Sequence, residues 1–317
     1  MTDHRPSTAR SVWLDRFGDI GVIGLADRPI PQPVDDEVLV RVRAASVNPV
    51  DWKIAAGEFP KVTEQDLPII LGRDLAGTIE SVGTAAHYMV GHGDRVMAHI
   101  GFDRGAQSEY VVVKAVELVQ LPTNVDFAAG AGVGLVAMTA WQGIFDHGGL
   151  KRGQRVLIHG GAGGVGHLAV QLAKWKGATV YATAAGRDLD FVRSLGADEV
   201  IDYEAQKFEE VARDMDLVFD TQGGETQKRS FATLKKGGCL VSTLQPDEAA
   251  AAEAGVRIAP RWMAEPNAEQ LGTVSGLMAE GIVKVEVART FPLRDAQAAY
   301  RFAKDEHPRG KVVLTLD

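Results

Sequence analysis

A glycine-rich segment near the middle of the chain has the spacing of a phosphate-binding turn. Residues 160–166 read GGAGGVG; the apolar run RVLIHG leads into them and the helical run HLAVQLAKWKG follows. Glycines let a backbone turn tightly and approach a pyrophosphate, and the free N–H groups of a starting helix attract its charge. A turn used only for close packing of strand and helix is the alternative. Because motif and context coincide, we predict dinucleotide binding. We expect Gly163 to adopt a conformation that suits glycine alone, so that a side chain there lowers cofactor affinity sharply.

The strand after this turn indicates which dinucleotide is bound. The run TVYATA ends at Thr183 and Ala184 without the Asp or Glu that binds a ribose 2′-hydroxyl in NAD enzymes, and Arg187 follows on the loop. A guanidinium can bind a 2′-phosphate bidentately, whereas a carboxylate would repel it. The sequence therefore predicts NADPH as the cofactor. The alternative for Arg187 is a solvated surface side chain.

The elements around these residues change rhythm along the chain. Up to about residue 122, short alternating runs such as EVLVRVRAASV are separated by Gly and Pro, which is typical of a β-rich domain. Over residues 123–265, short apolar strands alternate with helical segments, which indicates a doubly wound parallel sheet. The last strand of this region, VRIAPRW, is expected at the sheet edge, where edge pairing would form a homodimer.

Composition excludes several classes of partner. The formal charge of the 317 residues is −8, with no basic block, so nucleic acid and anionic membranes are poor candidates. We see no apolar run near the roughly 20 residues of a membrane span. The single cysteine, Cys239, excludes an internal disulfide and points to the reducing cytosol. The first ten residues, MTDHRPSTAR, are expected to be a disordered leader.

Several motifs occur in an order that resembles the zinc-free quinone oxidoreductase branch of the medium-chain dehydrogenase/reductase family. They include VNPVD (47–51), LGRDLAGTIESVG (71–83), HGGAGGVG (159–166) and RGKVVL (309–314). The resemblance implies an α/β chain with a chaperonin-10-like β-rich catalytic domain and a Rossmann dinucleotide-binding domain. Because the C-terminal segment of the family returns to the first domain, residues 1–122 and 266–317 are assigned to the catalytic domain. Residues 123–265 are assigned to the Rossmann domain.

The resemblance also bears on zinc. Where zinc dehydrogenases of the family place their ligands, this chain has Asn48, Arg73 and Leu135. Of the remaining candidates, His87, His92 and His99 have a cluster-like spacing but no carboxylate or Cys partner at ligand spacing, so a solvated loop is expected. We predict no metal.

A site without a metal favours an acceptor that is already activated. Without a Lewis acid or strong base an alcohol does not readily become the alkoxide that releases hydride. Transfer of hydride from NADPH to a quinone or an α,β-unsaturated carbonyl compound is therefore predicted. A catalytically quiet NADPH-binding protein is an alternative. A 2-enoyl thioester reductase is another, although Phe59 stands where related enzymes have a proton-donating tyrosine.

The resemblance assigns further residues to the site. Asn48 is expected beside the nicotinamide, where its amide could bond substrate or cofactor, although a turn cap before Pro49 is an alternative. We expect Asp51, Trp52, Lys53 and Phe59 near the substrate pocket, with Asp51 equally suited to a structural role. The remaining positions assigned to the cofactor are Thr139, Gly160, Ala162, Gly163, Gly164, Val165, Gly166, Thr183, Arg187, Tyr203, Thr221, Gln222 and Gly223.

Overall fold

The computed structural model describes residues 7–316, which divide into two compact units. Unit 1 comprises residues up to 135 together with 266–280 and those from 287 onward. Unit 2 comprises residues 136–265 and 281–286. Residues 1–6 of the predicted disordered leader lie outside the described residues. The prediction of disorder is wrong for the end of the leader, because Thr8 begins the first strand and Ala9 is buried in it.

Unit 1 is built on two β-sheets. Strands β2, β1 and β4 form a three-stranded antiparallel sheet, and the second sheet has the order β15-β16-β3-β5-β6-β8, with β7 also paired to β3. The bounds are β1 Thr8–Leu14, β2 Gly24–Pro29, β3 Glu37–Val47, β4 Ile69–Ile70, β5 Asp74–Val82, β6 Arg95–His99, β7 Tyr110–Lys114, β8 Val119–Gln120, β15 Val287–Pro292 and β16 Lys311–Thr315. Unit 1 also contains helices α1 (Pro49–Ala55), α8 (Ala268–Ala279) and α9 (Ala296–Asp305), and the first part of the helix that begins at Phe127.

Unit 2 contains a six-stranded parallel sheet with the order β11-β10-β9-β12-β13-β14. Its strands are β9 Arg155–Ile158, β10 Thr179–Ala184, β11 Glu199–Asp202, β12 Met215–Asp220, β13 Leu234–Ser242 and β14 Arg257–Ile258, connected by helices α3 Gly166–Trp175, α4 Leu189–Ser194, α5 Phe208–Val211, α6 Gly224–Ser230 and α7 Glu248–Ala254. The strand order reverses direction between β9 and β12, as in a doubly wound dinucleotide-binding sheet. The α/β class with a doubly wound sheet is therefore confirmed.

The edge of this sheet is shorter than the sequence suggests. In the run VRIAPRW only Arg257 and Ile258 pair with β13, and Pro260 lies beyond the strand. A two-residue edge offers few backbone groups to a second copy. The homodimer stays a prediction.

The remaining helix, α2 (Phe127–Trp141), is continued by a π-helical segment, Gln142–His147. Together they form a 21-residue helix that is long and apolar enough to cross a membrane by length and composition alone. The statement that no run approaches this length is therefore wrong. However, 67% of its apolar window is buried inside the structure, as in a core helix. The expectation of no membrane partner stays a prediction.

The division between the units differs from the sequence-based boundary at residue 122. The first part of α2, up to Leu135, belongs to unit 1, where the Leu135 N–H donates to Asp74 Oδ1 (2.6 Å). Conversely, residues 281–286 belong to unit 2, where Lys284 and the Gln171 side chain exchange two hydrogen bonds of 2.8 and 2.9 Å.

Candidate functional site

The glycine-rich turn joins β9 to α3 at the carboxyl end of the sheet. Within the turn, Gly161 N–H donates to Thr183 O (2.8 Å) and Gly163 N–H donates to Gly160 O (2.9 Å). Across the described residues, 7–316, four N–H groups of the turn have no protein acceptor: those of Ala162, Gly164 and Val165 before α3, and that of Gly166 at its first position. Unpaired N–H groups at the start of the ten-residue helix α3 can bind the oxygens of a phosphate.

The need for glycine in this turn is strongest at its two ends. A Cβ added at Gly166 would lie 2.0 Å from the carbonyl oxygen of Gly160, which is backbone and cannot move aside cheaply. Gly160 itself has φ +69°, a conformation that favours glycine. At Gly163 the added Cβ would lie 3.3 Å from Gly160 O and φ is not left-handed. The expectation that Gly163 needs a conformation reserved for glycine is therefore wrong. A side chain at Gly163 would be crowded by Gly160 O, but its backbone conformation is open to other residues.

The loop after β10, where the 2′-phosphate is expected, carries both signs of charge. The Arg187 side chain is 72% exposed and its Nε lies 3.6 Å from Asp188 Oδ2. Glu204 Oε2 accepts a hydrogen bond from Gly186 N–H (3.4 Å). Tyr203, beside Glu204, is exposed. Sequence reasoning missed Glu204, because its place beside Gly186 depends on the pairing of β10 with β11.

A buried carboxylate organises the loop after β12. Asp220 is fully buried and accepts from the backbone N–H groups of Gln222 (2.8 Å) and Gly223 (3.0 Å) and from the side chains of Gln227 (3.0 Å) and Ser242 (2.8 Å). These bonds fix the predicted residues Thr221–Gly223 at the carboxyl end of β12. That strand is the neighbour of β9 across the reversal in strand order, where doubly wound sheets bind their ligands.

A buried histidine that sequence reasoning overlooked links β9 to β10 and α6. His159 bonds Thr183 Oγ1 through Nδ1 (3.1 Å) and Ser230 Oγ through Nε2 (2.8 Å). Burial lowers its pKa to about 4, against the opposing charge of Asp220. His159 is therefore neutral at pH 7. Thr183 Oγ1 also accepts from Gly160 N–H (3.2 Å), so this histidine helps to hold the start of the turn.

In unit 1, Asn48 has all the donors of its amide engaged. Its Nδ2 donates to Ser46 Oγ (2.9 Å) and Asp74 Oδ2 (2.8 Å), while Oδ1 accepts from Lys311 Nζ (2.5 Å). The residue is fully buried, directly before α1. Its predicted bond to substrate or cofactor would require one of these bonds to be exchanged, or would use the second lone pair of Oδ1.

Asp74 is the centre of this buried cluster. Besides Asn48, the carboxylate accepts from Ser46 Oγ (2.5 Å), from the Leu135 N–H and from His99 Nδ1 (2.9 Å). Burial raises the pKa of Asp74, but the hydrogen bond and charge of His99, together with Lys311, hold that pKa below its usual value. The expectation that His99 lies in a solvated loop is therefore wrong: it is buried in β6 with a carboxylate partner.

Asp51 has one carboxyl oxygen satisfied and one without a partner. Its Oδ2 accepts from Asn48 N–H (2.9 Å) at the start of α1, while Oδ1 is buried without a hydrogen-bond partner. Burial raises its pKa to about 6, against the opposing charge of Arg73 and the Asn48 bond. This environment places Asp51 in the interior of unit 1, which agrees with the structural alternative.

The other expected pocket residues have mixed exposure. Trp52 and Phe59 are half-buried and pack against the main core of unit 1, and Phe59 contacts Phe102 with ring centroids 4.7 Å apart. Lys53 is exposed. In unit 2, Thr139 is half-buried on α2.

At one of the positions where zinc dehydrogenases of the family place a ligand, this chain has an arginine that is bonded to backbone carbonyl groups. Arg73 donates through Nη1 to Gly101 O and through Nη2 to Arg104 O (2.8 Å). No group of three or more His, Cys, Asp or Glu residues within the described part of the chain could hold a metal ion. The absence of zinc stays a prediction.

Comparisons with known proteins identify the family. A model described as "Alcohol dehydrogenase GroES-like domain" matches residues 34–123, and one described as "Zinc-binding dehydrogenase" matches residues 195–314. The chain is 33% identical to the NADPH-dependent alkenal/one oxidoreductase of Arabidopsis thaliana chloroplasts, over 94% of this chain and 77% of that one. The structure resembles the quinone oxidoreductase from Coxiella burnetii with a TM-score of 0.90, at 33% identity and over 98% and 100% of the two chains. It also resembles a mycobacterial protein complexed with NADPH, with a TM-score of 0.85, at 26% identity and over 97% and 100%.

The chain therefore belongs to the medium-chain dehydrogenase/reductase family, with a GroES-like and a Rossmann-like domain. Within that family it is an oxidoreductase of the quinone oxidoreductase branch, which confirms the family predicted from the ordered motifs.

Proposed function

We propose that this chain is an NADPH-dependent reductase that transfers hydride to quinones or α,β-unsaturated carbonyl compounds without zinc. The observation that carries the proposal is the glycine-rich turn of unit 2, with three unpaired N–H groups before α3. The names of the alkenal/one reductase and the quinone oxidoreductase among its relatives support this acceptor class.

The residues present fit the pyrophosphate better than they fit the 2′-phosphate. The free N–H groups of Ala162, Gly164 and Val165 suit a pyrophosphate. The 2′-phosphate would meet one exposed guanidinium, Arg187, with the carboxylates of Asp188 and Glu204 close by. We therefore expect NADPH to be preferred over NADH by a modest factor.

Each unit contributes a separate task. When bound, NADPH supplies the hydride, and the acceptor is reduced when a proton follows. In unit 2 the turn and the loop ordered by Asp220 hold the cofactor. In unit 1, half-buried Trp52 and Phe59 supply apolar surface for a flat acceptor, which excludes water from it. The buried Asp74 cluster keeps the segment around Asn48 rigid.

Zinc plays no part in the proposed reaction. At the compared ligand positions, Asn48 has its Oδ1 bonded to the Lys311 ammonium and Arg73 is a buried cation. Neither position offers the thiolate or imidazole that zinc dehydrogenases of the family place there, and the Arg73 cation would repel the ion. The free Cys239 supports residence in the reducing cytosol. The negative net charge supports the expectation that nucleic acid is not a partner.

The test is steady-state oxidation of NADPH, followed by absorbance, with three acceptors. We expect turnover with 9,10-phenanthrenequinone and with a simple enone, and little with a 2-enoyl thioester, because Phe59 lacks a hydroxyl. NADPH binding is measured separately by fluorescence. Binding without turnover of any acceptor would favour the catalytically quiet alternative, and faster turnover of the thioester would favour the enoyl reductase.

A further inference from the structure

A chain of hydrogen bonds runs from the glycine-rich turn into the interior of unit 2. It begins at Gly160 N–H, which donates to Thr183 Oγ1 (3.2 Å). Thr183 Oγ1 lies 3.1 Å from His159 Nδ1, and His159 Nε2 lies 2.8 Å from Ser230 Oγ. The chain ends where Ser230 Oγ donates to the carbonyl oxygen of Thr226 (2.5 Å). The three side chains in it are buried, so each polar atom depends on its protein partners.

The donor in each of these bonds follows from the number of protons available. Ser230 has one hydroxyl proton, and it goes to the Thr226 carbonyl, which can only accept. Ser230 Oγ therefore accepts from His159, which places the ring proton on Nε2. Burial lowers the pKa of His159 to about 4, so the ring carries a single proton at pH 7 and Nδ1 has none. Nδ1 is then the acceptor for the hydroxyl proton of Thr183.

This acceptor holds the Thr183 hydroxyl in one orientation. With its proton directed to His159 Nδ1, a lone pair of Oγ1 remains for Gly160 N–H. Without Nδ1 the buried hydroxyl proton would have no acceptor at this place, and the side chain would turn to find one at the expense of Gly160. Gly160 has φ +69° and makes the first bend of the turn. The orientation of one hydroxyl thus fixes the place where the phosphate-binding N–H groups begin.

The backbone of His159 fixes a second segment of the cofactor site. Its N–H donates to Phe219 O (3.0 Å), and its carbonyl oxygen accepts from Thr221 Oγ1 (2.8 Å). Thr221 begins the loop after β12 that is expected to line the cofactor. His159 therefore connects the turn after β9 with that loop through bonds of its own.

Packing alone does not explain a histidine at this position. The ring lies edge-on to Phe208, with centroids 4.6 Å apart, in a core cluster of unit 2. An apolar ring would fill this space without the cost of burying two polar nitrogens. The hydrogen bonds at both nitrogens are what only histidine supplies here.

We propose that His159 is a positioning residue for the cofactor turn, which it holds by accepting from Thr183 through Nδ1. The inference rests on the proposed function, in which this turn binds NADPH. His159 acts through Thr183 and Gly160 rather than by contact with the cofactor. A turn that is already held in place loses less freedom when NADPH binds, so removal of the acceptor weakens cofactor binding.

The first experiment measures the tautomer of the ring in the unmodified protein at pH 7, without cofactor. Nitrogen-15 NMR distinguishes a ring nitrogen that carries a proton from one that does not, and the signals of His159 are identified by their loss in His159→Asn. We expect a proton on Nε2 and none on Nδ1. A proton on Nδ1, alone or together with one on Nε2, would overturn the proposal.

Two replacements separate the roles of the two ring nitrogens. In His159→Asn the amide oxygen takes the place of Nδ1 and can accept from Thr183, whereas in His159→Gln the amide takes the place of Nε2 and can contact only Ser230. By fluorescence titration we expect His159→Gln to lower the affinity for NADPH about tenfold and His159→Asn to lower it less than about threefold. With 9,10-phenanthrenequinone as acceptor, the loss should appear in the KM for NADPH rather than in kcat. Equal losses of affinity in the two variants, or a loss confined to kcat, would overturn the proposal.

A double variant tests whether His159 acts through Thr183. Thr183→Val removes the hydroxyl, and combining it with His159→Gln should cause no further loss of NADPH affinity, because both changes break the same chain. Additive losses would overturn the proposal. Should the His159 variants not fold, the tautomer of the unmodified protein still decides.

Phe208→Leu is the control for loss of stability next to the ring. It removes packing against His159 without touching the chain of hydrogen bonds, so Tm should fall while the affinity for NADPH stays unchanged. A loss of affinity in Phe208→Leu equal to that in His159→Gln would overturn the proposal. Failure of the unmodified protein to bind NADPH would contradict the proposed function itself, whereas binding with Nδ1 protonated would overturn only the role of His159.

Discussion

Replacing the buried carboxyl of Asp51 should change how the stability of the protein depends on pH. The Asp51→Asn side chain can still accept the Asn48 N–H through its amide oxygen, so the start of α1 keeps its bond. What the substitution removes is a titratable group that is buried with one oxygen unpartnered. The comparison of interest is therefore the difference between variant and unmodified protein at each pH.

The size of the expected change in stability follows from the pKa of Asp51, which burial raises from 3.8 to about 6. A carboxyl whose pKa is higher in the folded state binds its proton more tightly there. Ionisation then destabilises the fold as pH rises from about 4 to 6, and the loss is constant above that. Between pH 4 and pH 7 the unmodified protein should lose roughly 2 kcal/mol of unfolding free energy relative to Asp51→Asn.

The assay is thermal unfolding of both proteins in matched buffers from pH 4 to pH 7. For domains of this size, roughly 2 kcal/mol corresponds to about 4–8 °C, so the variant should gain that much in Tm relative to the unmodified protein on going from pH 4 to pH 7. Asp66→Asn is the control of opposite sign. The bonds from Thr63 lower the pKa of Asp66, so stability from that group is lost as pH falls. Parallel Tm curves for Asp51→Asn and the unmodified protein would refute the reasoning.

Three further predictions concern the cofactor and the metal. Gly166→Ala places a Cβ 2.0 Å from Gly160 O and should lower the affinity for NADPH at least tenfold, as measured by fluorescence titration. The control Gly272→Ala, with open space around the added Cβ, should bind NADPH normally. Normal binding by a folded Gly166→Ala variant would contradict this placement of the turn. Arg187→Ala should lower the affinity for NADPH by about tenfold and leave the affinity for NADH unchanged. Glu204→Gln should raise the affinity for NADPH and not that for NADH. An equal effect on both cofactors would show that neither residue faces the 2′-phosphate. Elemental analysis should find no stoichiometric zinc and chelation should leave activity unchanged; loss of activity on chelation, with stoichiometric zinc present, would contradict the metal-free site.

The doubly wound unit could be predicted from sequence because its signals are local. The run TVYATA coincides with β10, and the glycine segment lies between β9 and α3 as its spacing indicates. Apolar runs of this length bounded by glycine carry their own secondary structure. The conformational requirement at Gly160 rather than Gly163 was missed, because φ depends on the whole turn.

The buried cluster of unit 1 could not be predicted in the same way. Lys311 reaches Asn48 only because β16 pairs with β3, with Val312 opposite Val47. His99 reaches Asp74 because β5 and β6 place these two residues opposite each other. Such partners are set by strand register over long sequence separations, and a single sequence gives no local sign of them. The resemblance supplied Asn48 as a site residue but not the partners that hold it.

The bond between Lys311 and Asn48 has a consequence for the order of folding during synthesis. The ribosome releases Asn48 and Asp74 long before β16, residues Lys311–Thr315, which supplies both a neighbouring strand for β3 and an ammonium for the amide. The parallel sheet of unit 2 ends at Ile258 and can therefore form while unit 1 still lacks a strand. A nascent chain halted just before Lys311 would contain a complete dinucleotide-binding sheet and an unfinished β-rich unit, whose carboxylates lack one of their counter-charges.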